Sequence, residues 1–174
     1  MGVIMTKSFM TKMIATAAAL ATIGIATVAT AHHGWNSFDT SRAFYAVGTV
    51  INVRWGNPHS EVHLKVDSTA LPADWTSRAL PEGANEIDGR ATIASARPYD
   101  GGHDEIELVL AGPEWMQRWD LNRPLEAGEK IEVVGYLGSS DKQALRPVMF
   151  WLANGQGVWQ QLTSFPQRPE PVQQ

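Results

Sequence analysis

Residues 44–67, FYAVGTVINVRWGNPHSEVHLKVD, decide how this chain folds. In the second half of the stretch Val62, Leu64 and Val66 alternate with Glu61, His63, Lys65 and Asp67. That period of two belongs to a strand with one buried and one wet face. In the first half Tyr45, Val47, Thr49, Ile51 and Val53 alternate with Ala46, Gly48, Val50 and Asn52. The β-branched content makes Phe44–Trp55 a strand as well. Gly56-Asn57-Pro58 lies between the two. Pro fixes φ while Asn and Gly accept turn geometries, so the stretch is a hairpin.

Downstream, the same signals predict strands at Arg90–Ala96, Glu105–Leu110, Ile131–Leu137 and Leu145–Leu152. Ala70–Gly89 carries Pro72, Pro81 and Gly83 and reads as a surface excursion with one helical turn near Trp75. Pro98–Asp104 is a loop. Pro113–Trp119 is a short helix, with Pro in the first turn and Glu114 beside it. From Phe165 the chain is rich in Pro and Gln, a tail expected to fray. The expectation is a mainly β domain over residues 32–164, a small barrel or sandwich of about five or six strands with one short helix.

Upstream, Lys7 and Lys12 precede an uncharged stretch from Met13 to Val28. Ala29-Thr30-Ala31 then presents small residues at −3 and −1, as a signal peptidase site does. Residues 1–31 are expected to be a signal peptide, with the periplasm as destination and full secretion as the alternative. Cleavage there makes His32 the mature N-terminus. The remaining 143 residues carry a formal charge of −6, since the signal takes two lysines and no acids with it. That balance argues against nucleic acid, which demands a basic face. Once the signal is removed, no further stretch approaches the roughly 20 apolar residues of a membrane span. The absence of cysteine excludes disulfides, thiolate metal sites and cysteine nucleophiles.

Ala31-His32-His33, Gly48-Thr49-Val50, Trp55-Gly56-Asn57-Pro58-His59 and LEAGEKIEVVGY at Leu125–Tyr136 occur here in one order. In that order they resemble a group of small exported bacterial proteins of unknown function. Its members have a signal peptide, a histidine pair at the mature start, a G-T-V strand, an N-P-H turn and a G-D-x-V-x-V-x-G-Y strand. Glu129 stands where the family often has Asp, and Ala70–Asp104 is longer than the resemblance would lead one to expect. The resemblance implies an OB-like barrel in the periplasm. It supplies no reaction, substrate or catalytic residue.

The histidines are His32, His33, His59, His63 and His103. An N-terminal histidine chelates a metal through its amine and its ring, and a second histidine completes a three-nitrogen site. Such donors favour copper(II). His32 with His59 is the expected pair, with His33 assisting. Zinc, with Glu61 or Asp104 as a third ligand, is the alternative. His59 and His63 are four apart, which on a strand means roughly 13 Å, too far for one metal. His63 is therefore expected to be an exposed strand residue. The plainer reading stays open: a hydrophilic mature start, a His59 that bonds its own turn, and no cofactor.

No nucleophile elbow, H-E-x-x-H or phosphate loop is present, so a non-enzymatic binding protein is the expectation. The alternative is an interaction module that takes a partner protein or a saccharide on an aromatic barrel face. Trp55 and Trp35 would be its contact residues, with His63 beside them. Trp at strand and helix positions is otherwise packing, and Trp115 with Trp119 is expected to cap the barrel end.

Overall fold

A computed structural model describes residues 37–161. The expected signal peptide, His32, His33, Trp35 and the 165–174 tail lie outside the described residues. Seven strands occur among these residues: β1 (Phe38–Arg54), β2 (His59–Ser68), β3 (Arg97–Pro98), β4 (Glu105–Ala111), β5 (Lys130–Gly138), β6 (Ala144–Leu152) and β7 (Gly157–Trp159). There are two α-helices, α1 (Gly89–Ser95) and α2 (Pro113–Arg118). The sheet runs β2-β4-β6-β5-β1, and β1 pairs again with β2, so it closes partly into a ring. Mainly β, OB-like architecture is thus what the molecule has.

The ring closes because β1 is long enough to serve two neighbours. From Ala43 to Thr49 it pairs with β5, and from Val47 to Arg54 it pairs with β2. Gly48 stands where the two ladders overlap, opposite Val66 and Ile131. A Cβ there would overlap Lys65 O and come within 2.6 Å of Leu64 Cγ, so the crossing of strands demands glycine. Val62, Leu64, Ile106, Leu108 and Phe150 lie in the core, and α2 buries Met116.

The opposite seam, between β4 and β6, is parallel and has only two residue pairs, Glu107↔Ala144 and Leu108↔Leu145. Beyond them Gln160, fully buried, stands in for the missing ladder. Its Oε1 accepts from Ala111 N–H at 3.0 Å, and its Nε2 donates to Val109 O at 3.2 Å and to Pro147 O at 2.6 Å. One side chain thereby satisfies three backbone groups that would otherwise be buried unpaired.

Residues 69–104 form a second layer over β1, β5 and β6. Trp75 lies 4.6 Å from the Tyr45 ring and 5.8 Å from that of Trp151, and its Nε1–H donates to Ile93 O at 2.9 Å. Here the sequence expectation fails at one element: Arg90–Ala96 is not a strand, since Arg90–Ser95 lie on α1 and Ala96 follows as its C-cap. Gly89, Thr92 and Ile93 are its buried positions, a helical spacing, and the buried Ala96 continues that face. Ala91 and Ala94 favour the helix, and the Trp75 bond supplies a partner to one of its terminal carbonyls. The short strand β7, which extends β6, was also not anticipated.

Candidate functional site

The hairpin turn sits at the barrel end where β2 starts, β4 stops and α2 begins. His59 is half-buried and opposes Ala111 in the β2–β4 ladder. The turn ahead of it is held from two sides. The buried Ser60 hydroxyl accepts from Gly56 N–H at 3.2 Å and lies 3.4 Å from Gly56 O. The Asn57 carboxamide lies over Gly112, where a Cβ would overlap its Oδ1 and stand 3.1 Å from Pro58 O. Trp55 is half-buried and packs on the main core just ahead of the turn.

His63 does not have the exposed character expected of it. It is half-buried on the outer face of β2, and its Nδ1 lies 2.8 Å from Glu105 Oε1 on β4. Strand register explains this, since Glu107 faces His63 directly and Glu105 lies one diagonal step away. Much of that face is also paired. Arg54 binds Glu61 through two nitrogens, Thr49 Oγ1 donates to Asp67 at 2.7 Å, and Lys130 Nζ lies 3.7 Å from Asp67. An OB-type nucleic-acid platform needs stacking rings beside free cations. On this face carboxylates engage Arg54 and Lys130 instead. His103 lies in the exposed loop before β4. Among the described residues no three His, Asp or Glu side chains group as a metal site.

A polar network at the edge of the second layer escaped the sequence reading. Arg78 donates to both oxygens of Glu132, at 2.6 and 2.8 Å, and its guanidinium lies 4.7 Å from the Trp151 ring centroid. Tyr45, fully buried, donates its hydroxyl to Glu132 at 2.6 Å. Burial first, then this bond to a carboxylate, raises the Tyr45 pKa above its ordinary 10.0 and keeps the phenol protonated. A cleft of about 400 Å³ opens beside it, bordered by Asp74, Ser77, Arg78, Leu80, Trp151 and Gly157. Trp151 is only 4% exposed, so its ring is not offered to a ligand there. Sequence reading placed a strand at Leu145–Leu152 but gave no signal for the network itself.

Packing governs most of the tryptophans. Trp75, Trp119, Trp151 and Trp159 are buried, and the Trp119 ring lies 5.5 Å from Trp159. Trp115 is 40% exposed on α2, stacked 5.6 Å from Trp119, with the Arg118 guanidinium 4.8 Å from its ring.

These features define an OB-like β-barrel with a covered and an uncovered outer face and a histidine turn at one end. Residues 19–101 match the model of a family described as a family of unknown function (DUF6152), just under half of the chain. That match supports an uncharacterised family. It spans β1, β2 and most of the second layer. No curated protein matches the chain.

Proposed function

We propose that this is an exported, non-enzymatic binding protein of the periplasm that holds copper. His32 gives its amine and ring, His59 gives its ring, and His33 assists. The observation that carries the reading is the seat of His59: half-buried, at the start of a strand, on a turn whose Gly56 N–H bonds the Ser60 hydroxyl. A ligand held by its backbone is preorganised for a metal. The other described histidines suit the role less, because His63 lies mid-strand on the outer face and His103 is on an exposed loop. Copper is preferred to zinc partly because Glu61, the candidate carboxylate ligand, is tied to Arg54.

The test is intact mass and copper(II) titration on protein exported from a bacterial host. A mass beginning at His32, one-to-one binding and a nitrogen-rich EPR spectrum are expected. His32→Ala and His59→Ala should each abolish tight binding, while His63→Ala leaves it intact. Unchanged affinity in the first two variants would sink the proposal. A second reading is capture of a partner or saccharide through Trp55 and Trp35. It requires Trp55→Ala or Trp35→Ala to reduce capture while chelation of metal does nothing.

A further inference from the structure

We infer that Phe38 fastens the lead in front of β1 to the outer face of β4, and so delivers His32 to His59. The outer positions of β4 are Glu105, Glu107, Val109 and Ala111, while Ile106, Leu108 and Leu110 alternate with them into the main core. That outer row is charged at its first two positions and apolar at the next two. An apolar residue belongs on an outer face where something covers it. At Val109 the cover is Phe38: both are buried in a small cluster with Ala144, apart from the main core, with Tyr136 packed against it. Phe38 enters that cluster from β5, where its ladder partner is Gly138. Gly138 has no side chain to hold the ring off, and a Cβ there would stand 3.6 Å from that of Ala144. The ring therefore has a low path over Gly138 and Ala144 toward Val109. Just ahead of it, Ser139 N–H donates to Ser37 O at 2.8 Å and fixes the backbone.

Val109 stands opposite Glu61 on β2, and the pair two residues on is His59↔Ala111. Those two pairs share a face and are about 7 Å apart along the strands. From Phe38 back to His32 the chain can span about 20 Å. That covers the distance along β4 together with the one strand spacing of about 5 Å to β2. Anchored at Phe38, His32 is confined to the neighbourhood of His59, where its effective concentration is high. The consequence for metal rests on the copper reading above, but the placement of the lead does not. A residue that orients a metal ligand from outside its coordination sphere is commonly worth about 10–100-fold in affinity. Phe38→Ala is expected to weaken copper(II) by about that factor, with the stoichiometry unchanged.

The chain has no cysteine, so Gly34→Cys in the exported protein carries a single nitroxide label. Amide line broadening by that label is recorded on the metal-free protein, with and without Phe38→Ala. Copper(II) is titrated into unlabelled wild type and unlabelled Phe38→Ala. The expected result is broadening centred on residues 59–61 and Ala111, weaker at residues 139–142, and lost from residues 59–61 in Phe38→Ala. A label that broadens residues 139–142 more than residues 59–61 overturns the inference, because the lead then follows the β5–β6 turn past Ser139. A folded Phe38→Ala, with its β1–β2 ladder amides in place, that keeps the broadening or the wild-type copper affinity also overturns it. Should Phe38→Ala not fold, the pattern from the label in the otherwise unaltered chain decides alone. Wild type that takes no copper would remove the function proposed above, and the label would still decide where the lead lies.

Discussion

The outer face of β2 and β4 and the outer face of β1, β5 and β6 belong to one barrel and have opposite fates. The first is charged and wet, with Arg54–Glu61 and His63–Glu105 paired across the strands. The second is roofed by residues 69–104, and all nine residues of β6 are buried. Even Arg146 is 5% exposed, and burial pulls its pKa down to about 10. The difference teaches that a strand's alternation reports what covers it as much as what it encloses. A face open to water forces polar residues at every second position, and a roof removes that demand.

The contrast breaks most visibly at the roof. Trp75→Ala removes the ring that joins Tyr45, Trp151 and Ile93, and should cost about 3–5 kcal/mol by urea denaturation. A cost near zero would mean that the second layer does not contribute to the cooperative fold. At the seam where the two faces meet, Gln160→Ala leaves Val109 O, Pro147 O and Ala111 N without their partner. Those groups put the loss at about 3 kcal/mol. Hydrogen exchange should then quicken at Ala111 while the β1–β2 ladder stays protected.

Smaller effects sharpen the comparison. Arg78→Ala strips Glu132 of a bidentate partner at the edge of the roof, and should cost about 1–2 kcal/mol, little affected by salt. On the open face, Arg54→Ala should cost under about 1 kcal/mol, and that cost should fade in high salt. Equal salt sensitivity in the two variants would erase the distinction. Acid supplies the gentlest probe. The Arg123 guanidinium, aided by Glu126 N–H, holds the Glu129 carboxyl below its ordinary 4.5. A depressed carboxylate stabilises the fold above its unfolded value, and that stability is lost as pH falls through the folded value. Arg123→Ala should therefore flatten the acid limb of the stability curve below about pH 4.5, which thermal melts across that range would show.

The open face was the legible one. Val62, Leu64 and Val66 are in fact the inward or shielded side of β2, as their alternation with charged residues indicates. The α2 helix was legible from Pro113 and Glu114. The roofed half was harder, for a physical reason. Thr92 and Ile93 invite a strand by propensity, while the helical spacing of Gly89, Thr92, Ile93 and Ala96 acquires meaning only against a surface that folding has already built. The strand at Leu145–Leu152 was legible, yet a strand prediction does not say which segment lies across it. The turn at His59 was legible as a turn, but the approach of Asn57 to Gly112 was not. That contact joins residues 55 positions apart in the chain, at the end of a ladder whose register no local pattern fixes.

Gln160 also sets a clock. The β1–β2 hairpin needs nothing beyond Ser68, whereas the seam is completed by a side chain 92 positions later. When the full chain refolds, local strand pairing is therefore expected to precede closure of the ring. Until Gln160 reaches Val109 and Pro147, the cylinder stands open along one side.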